Sequence, residues 1–238
     1  MEAKLTDLVN RLKSSAHDNL KAVILYGSAV SGEFREGHSD LNVLCLVNAA
    51  SANDLEHLHS VAEWWTRQGN AAPLVFTLDE LYRASDVFSI ELLDIKAHHR
   101  VLYGDDFLAN FEVPLRLHRI QVERELRSSV IRLRQGIVAA PLSNRDHLGL
   151  MTQSVSVFCS LFRHAVIAMG NPAPTSKREA VTTVAAITGA DPSAFHAVLD
   201  FREGKRKSSA IDVEASLHAY LEFVEVVTNE VDRRLDAV

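Results

Sequence analysis

The stretch from Ala22 to Val47 constrains the fold of this chain more than any other part of it. It reads AVILYGSAVSGEFREGHSDLNVLCLV: an apolar run, a Gly27-Ser28 pair, a polar spacer and a second apolar run after Asn42. Apolar runs rich in β-branched and aliphatic residues, bounded by Gly and polar residues, are typical of strands. The stretch therefore predicts two strands, over 22–26 and 43–47, with a short polar helix or loop between them.

The polar residues at the ends of these strands suit the binding of an anion and a cation. Gly27 allows close approach of the backbone to a phosphate, and Ser28 offers a hydroxyl. Asp40 and Asn42 lie two residues apart where the second strand starts, so strand alternation sends both side chains to one face. We expect that face to look toward the Gly27-Ser28 turn.

The order of these residues resembles a known signature. A strand, Gly-Ser, a spacer with a further Gly, and then Ser39-Asp40 before a second apolar strand is similar to the DNA polymerase beta-like nucleotidyltransferase superfamily. More narrowly, it resembles the small bacterial nucleotidyltransferases that include antibiotic-modifying adenylyltransferases. The resemblance implies that Gly27, Ser28 and Ser39 bind the triphosphate of a nucleotide such as ATP. It also implies that Asp40 and Asn42, at the Asp-x-Asp positions, are catalytic residues that hold Mg²⁺.

The chain departs from that family pattern at two positions. Asn42 stands where the family has its second acid, and it offers a neutral carbonyl oxygen without a charge. We expect weak Mg²⁺ binding, because the charge of the ligands is a main determinant of affinity for hard cations. The run from Pro73 to Thr77 carries only Thr77 where the family would place its third acid. Glu91, or alternatively Asp94, is then the candidate for a third oxygen ligand or a general base.

Two functions follow from the resemblance and its departures. The first is an enzyme that transfers a nucleoside monophosphate from a nucleoside triphosphate to a hydroxyl of a small molecule or protein, using magnesium. Such chemistry needs positioning and neutralisation of charge more than covalent help. The alternative is a catalytically degenerate module that binds a nucleotide or a protein without turnover. A third interpretation, an assembly role of the final helix, predicts no nucleotide binding.

The pattern of the chain changes near residue 110. Before it, strands alternate with helices, which predicts an α+β, nucleotidyltransferase-like domain over residues 1–110, with a small mixed β-sheet and flanking helices. Residues 111–238 show long helical patterns and predict an all-α helical bundle domain. The apolar stripe from Val213 to Leu235 is interpreted as packing within the chain, with a homodimer seam as the alternative.

Composition limits the partners of the chain. Its 238 residues carry a formal net charge of -6 and are 47% hydrophobic, which predicts a substantial core and argues against broad nucleic-acid binding. Cys45 and Cys159 are far apart in apolar runs and are typical of reduced thiols. The amino terminus lacks a secretory pattern and no run has the length of a membrane span, so we expect a cytoplasmic protein with no membrane partner.

Basic residues in the second half form a further candidate for phosphate contact. Arginine forks bind phosphates well, and a helix that carries several of them could neutralise a triphosphate. The alternative interpretation is a solvated helix face with local ion pairs. The arginines concerned are Arg116, Arg119, Arg124, Arg127, Arg132 and Arg134.

Overall fold

The chain divides after Pro114 into two units, each with its own buried core. The structure is a computed structural model that describes residues 1–32, 40–140 and 143–235. The first unit is Met1–Pro114 and the second is Leu115–Val238. They are called the N-terminal and C-terminal units below.

A mixed four-stranded sheet is the centre of the N-terminal unit. Its strands lie in the order β3-β2-β1-β4. β1 is antiparallel to both β2 and β4, whereas β3 is parallel to β2. The elements of this unit are α1 (Glu2–Ala16), β1 (Leu20–Tyr26), α2 (Ser28–Ser31), β2 (Asn42–Val47), α3 (Ala52–His57), α4 (His59–Thr66), β3 (Leu74–Thr77), α5 (Leu78–Ala84), α6 (Ser89–Ala97) and β4 (His99–Gly104).

Alternation along the strands gives the sheet two apolar faces. Val23, Leu25, Val43, Cys45 and Val47 point to one face and pack with the buried stripe of α1 and with residues of α4. The intervening strand residues point to the other face, where α5, α6 and the segment after β4 cover them. Such alternation is expected of strands that are buried on both sides. Burial raises the pKa of the Cys45 thiol to about 12, so the thiol stays protonated.

β1 and β4 approach each other closely at Gly104. A Cβ atom at this position would lie 2.0 Å from the carbonyl oxygen of Lys21, and the residue has a φ of +79°. Only glycine combines the absence of a side chain with ready access to positive φ. Gly104 therefore permits the pairing of these two strands.

Within the described residues, all regular elements of the C-terminal unit are helices. A cluster of aromatic rings fills its centre, including Phe195 stacked on Tyr220 with ring centroids 4.0 Å apart. Phe158, Phe162 and Phe223 surround this pair. The helices are α7 (His118–Ala139), α8 (Asn144–Ala168), α9 (Lys177–Thr188), α10 (Ser193–Arg202) and α11 (Val213–Leu235).

The apolar residues of α8, the longest helix among the described residues, pack in the core of the unit. Contrary to the expectation from sequence, it is long and apolar enough to cross a membrane by length and composition. Half of its apolar 18-residue stretch is buried inside the protein, however. α8 also contributes Met151, Val155, Phe158 and Phe162 to the core of the unit. α8 is therefore a core helix of the C-terminal unit.

The apolar stripe of α11 packs inside the C-terminal unit. Leu217, Tyr220, Val224 and Val227 are all buried there. The stripe therefore packs within the chain, as the preferred interpretation of the sequence expects.

Candidate active site

Gly27 forms the turn between β1 and α2. Its φ of 79° and ψ of -145° form a combination that residues with a side chain essentially do not adopt. The amide of Gly27 donates to the carbonyl oxygen of His98, 3.1 Å away, and its own carbonyl accepts from Val30 and Ser31. The turn is thus attached to His98, the residue directly before β4, on one side and begins α2 on the other.

Asn42 lies directly beside this turn. It is the first residue of β2 and pairs with Tyr26, the last residue of β1. Its amide nitrogen would be 3.5 Å from a Cβ atom at Gly27. The structure therefore brings Gly27 and Asn42 together, as the sequence predicts for the face of the sheet that carries Asn42.

Asp40 and Asn42 are held in place by the residue between them. Leu41 is buried in the core on the face with α1 and α4. Its amide donates to the side-chain oxygen of Asn70, 3.1 Å away, and the amide group of Asn70 in turn donates to the carbonyl of Trp65. Asp40 is exposed just before β2. One buried leucine and one asparagine thus fix the segment that carries both polar side chains.

Tyr26 stands in the same row of the sheet, between Asn42 on β2 and His99 on β4. Residues that pair directly across strands project to the same side of a sheet. Burial raises the pKa of the Tyr26 phenol above its ordinary value of 10.0. Tyr26 is therefore neutral at physiological pH.

Thr77, which stands where the family resemblance would place a third acid, lies at the far end of its strand from Asn42. The parallel register pairs Thr77 with Val47, at the end of β2 remote from Asn42. Thr77 instead caps α5, where its hydroxyl and amide bond with Glu80. An acid at position 77 would lie at the end of the sheet opposite the Gly27 turn. By the same register, the residue next to Asn42 would be Ala72.

Glu91 lies in the first turn of α6, and His98 follows the last residue of that helix. A helix rises 1.5 Å per residue, so the backbone of Glu91 is about 10 Å along the axis from His98. No group of three or more His, Cys, Asp or Glu residues that could hold a metal ion occurs among residues 1–32, 40–140 and 143–235. A catalytic role of Glu91 or Asp94 stays a prediction, and Ser39 lies outside the described residues.

The predicted basic helix is α7, and several of its arginines are engaged within the C-terminal unit. Arg127 pairs with Glu123 and Asp232, and Arg134 pairs with Glu225. Arg119 donates to the carbonyls of Ala168 and Arg234. These contacts favour the interpretation of α7 as a helix face with local ion pairs.

Three residues around the turn escape prediction from sequence. They are His98, whose carbonyl accepts from Gly27, His99 and Asn70. The sequence offers a weak signal for the first two, two adjacent histidines directly before an apolar run. Asn70 follows a glycine and looks like an ordinary helix end. Its bond to Leu41 depends on a fold contact across 29 residues.

Comparison with known proteins finds likeness in structure and not in sequence. No protein-family model matches the chain. No curated protein matches it either. Among solved structures, the chain is similar to the spectinomycin adenyltransferase AAD(9) from Enterococcus faecialis, which was crystallised with ATP and spectinomycin. The match has a TM-score of 0.56 at 15% identity and covers 94% of this chain and 99% of that chain.

At that level of identity the likeness is one of fold. It extends over both the sheet-containing part and the helical part of the chain. The chain therefore has the nucleotidyltransferase-like α+β fold, a small mixed sheet with flanking helices followed by a helical region.

Proposed function

We propose that the chain is a nucleotidyltransferase that transfers a nucleoside monophosphate from a nucleoside triphosphate to a hydroxyl group. The observation that carries the proposal is the juxtaposition of Gly27 and Asn42, with Asp40 two residues away, in a fold shared with an ATP-bound adenyltransferase. A turn with glycine-only geometry beside a polar strand end is suited to hold phosphates, since no side chain blocks their approach.

In this proposal each residue has a defined part. Gly27 and Ser28, with Ser39, bind the phosphates of the nucleotide. Asp40 supplies a carboxylate in this proposal, and Asn42 adds a neutral oxygen. Glu91, in the first turn of α6, is the proposed base or further oxygen ligand.

The oxygen donors of Asp40 and Asn42 fit magnesium, with an amide in place of one carboxylate of the family pattern. Mg²⁺ is bound in many phosphate-transferring sites by one or two carboxylates together with substrate phosphates, and it keeps several waters. Asp40 and Asn42 would hold it here, and it would supply neutralisation of phosphate charge. The neutral oxygen of Asn42, in place of a second carboxylate, favours weak binding that depends on the nucleotide.

A second candidate function is nucleotide binding without turnover. It is favoured by Asn42, which removes one charge from the site, and by the register of β3, which sets Thr77 away from it. Pyrophosphate release separates the two functions. The enzyme releases it in a metal-dependent manner, and the degenerate module binds nucleotide without releasing it.

The test is calorimetric titration of the purified protein with ATP and the other nucleoside triphosphates, with and without Mg²⁺. Asp40→Ala is the site variant. Asp18→Ala is the matched control, because Asp18 is also exposed but precedes the opposite end of β1. We expect magnesium-dependent binding in the wild type and in the control, weakened at least about tenfold in Asp40→Ala, the loss of about 1.4 kcal/mol of interaction.

Equal binding by Asp40→Ala and the wild type would refute the assignment of the site. Absence of binding to any nucleoside triphosphate would refute the proposed function and leave an assembly role as the alternative.

A further inference from the structure

A cavity of about 490 Å³ lies at the start of α7 in the C-terminal unit. Its volume is within the range of about 300–1,000 Å³ that is usual for sites of small molecules. The residues around it come from the segment before α7, from the first turn of α7 and from the end of α8. Among them are Leu115, Arg116, His118, Arg119, Ile120 and Ile167.

The polar side chains that line this cavity are all basic. Arg116, His118 and Arg119 contribute them, and among the residues that the structure describes no Asp or Glu lines the cavity. A guanidinium is always charged, and its N–H donors match the oxygens of a carboxylate or a phosphate. The charge of the lining therefore complements an oxyanion.

Arg119 is fixed at the cavity without losing its charge. Its Nε atom donates to the carbonyl of Ala168 at 3.2 Å, and one Nη atom donates to the carbonyl of Arg234 at 3.0 Å. These bonds use two of the five N–H donors of a guanidinium. Both acceptors are uncharged backbone oxygens, so the positive charge of Arg119 is oriented and not neutralised by them.

Arg116 is exposed at the other side of the lining. It forms no hydrogen bond or ion pair with any residue in the described ranges 1–32, 40–140 and 143–235. Its side chain can therefore contact a ligand without first breaking a contact within the folded chain.

A second cavity on α7 shows the opposite arrangement. Arg127 and Arg134 line it, but so does Glu225, which pairs with Arg134 at 2.6 Å. Arg127 pairs with Asp232 at 2.8 Å. The arginines of the second cavity are thus neutralised within the chain, whereas carboxylates are absent from the described lining of the first.

Apolar side chains lie beside the arginines of the first cavity. Leu115 is 52% exposed and Ile120 is 55% exposed, and Ile167 of α8 lines the same space. Covering exposed apolar surface is favourable in proportion to the area removed from water. An oxyanion alone would leave these side chains in water, and an apolar group attached to it would cover them.

We propose that this cavity binds a small anion with an apolar body, a carboxylate or a phosphate monoester carried on an alkyl or aryl group. Arg116 and Arg119 contact the oxyanion. Leu115, Ile120 and Ile167 contact the apolar body. The inference goes beyond the proposed function and does not depend on nucleotide binding at the candidate active site.

The test uses hexyl phosphate and hexanoate as probes, with hexanol and inorganic phosphate as compounds that lack the charge or the apolar body. Shifts of the backbone amides of residues 115–120 in ¹⁵N NMR of the full-length protein measure saturation. We expect at least one of the two anions to bind about tenfold more tightly than hexanol and inorganic phosphate, the scale of one charge-assisted hydrogen bond. The tighter anion identifies the preferred head group.

Two variants separate the two parts of the site. Arg116→Gln should weaken the binding of hexyl phosphate or hexanoate by about tenfold and leave that of hexanol unchanged, because it removes a charged donor. Ile120→Ser should weaken the binding of the same anion and leave that of inorganic phosphate unchanged. Both side chains are exposed, so neither change alters the core. Arg119 is kept, because its bonds hold the ends of two helices.

The matched controls are Arg124→Gln and Ile131→Ser, at exposed positions of α7 that do not line this cavity. Both should bind the anion as the wild type does. The proposal is overturned if the wild type shows no saturable binding of either anion, if hexanol or inorganic phosphate binds as tightly as both anions, or if Arg116→Gln retains the affinity of the wild type.

Discussion

Asn42 is the residue on which the chemistry of the candidate site depends most. Its amide lies beside the Gly27 turn, at the place where the family resemblance implies a carboxylate. An amide can orient a phosphate or a cation but adds no charge, so of the two residues Asp40 and Asn42 only Asp40 can contribute a charge. In the proposed function, the difference between an enzyme and a binding module depends on whether Asp40 and Asn42, with the nucleotide, are enough to hold magnesium.

Asn42→Asp should raise the affinity for Mg²⁺ in the presence of ATP by about tenfold, because a second carboxylate adds about 1.4 kcal/mol of attraction for a hard cation. The measurement is the Mg²⁺ concentration that half-saturates ATP binding. Asn53→Asp, at an exposed position of α3, makes the same chemical change away from the turn and should leave that concentration unaltered. An unchanged magnesium response in Asn42→Asp would count against Asn42 as a ligand.

At the scale of elements, the pairing of β1 with β4 determines where the turn is held. His98, the residue directly before β4, supplies the carbonyl that accepts the Gly27 amide at one end of the pair. Gly104 supplies the close approach at the other end. The candidate site therefore depends on a strand pair whose contact distance is set by a residue far from the site along the strand.

Gly104→Ala should destabilise the N-terminal unit by about 2–4 kcal/mol, since the added Cβ would meet backbone and the backbone has positive φ. The measurement is the free energy of unfolding in urea, followed by tryptophan fluorescence of Trp64 and Trp65. Gly69→Ala is the control, because Gly69 also has positive φ but nothing within 4 Å of its Cβ position. Equal losses in the two variants would show that backbone strain, and not the contact with Lys21, is responsible.

The strands β1, β2 and β3 show which features of the fold could be predicted from sequence. The runs over 22–26 and 43–47 predict β1 and β2 almost to their ends, because Gly27 and the polar residues before Val43 interrupt the apolar pattern on either side. The parallel register of β3 with β2 could not be predicted, since apolar runs such as 73–77 do not encode which strand lies beside them or in which direction. That register is what moves Thr77 away from Asn42.

Part of the candidate site could also be predicted from sequence. Gly27 and Asn42 could be foreseen together, because alternation and the turn residue are local properties. The contacts of Asn70 with Leu41 and of His98 with Gly27 span 29 and 71 residues, and nothing in the local pattern indicates them.

At the scale of the whole molecule, carboxylates that bond within the folded chain are distributed over both units. Hydrogen bonds from Ser51 and Thr77 lower the pKa of Asp54 and Glu80 in the N-terminal unit. In the C-terminal unit, hydrogen bonds from Arg233 and Arg234 lower the pKa of Glu230 from 4.5 to about 2. A carboxylate whose pKa is lower in the folded state stabilises that state above its unfolded pKa and loses this contribution as the pH falls.

We therefore expect the free energy of unfolding to decrease as the pH falls from about 4.5 toward 2, because over this range the unfolded chain takes up more protons than the folded chain. Urea unfolding at a series of pH values measures the decrease. Glu230→Gln should make it smaller, whereas Glu222→Gln, at an exposed position on the same helix, should not. A decrease of the same size in Glu230→Gln and the wild type would contradict the role of Glu230.

The bond between the Gly27 amide and His98 has a consequence for the thermodynamics of any ligand that uses the turn. The unusual backbone angles of Gly27 are set when the sheet forms, so the loss of its conformational entropy belongs to folding. A ligand that meets a turn already in place does not have to order that residue, and more of the interaction energy appears as affinity.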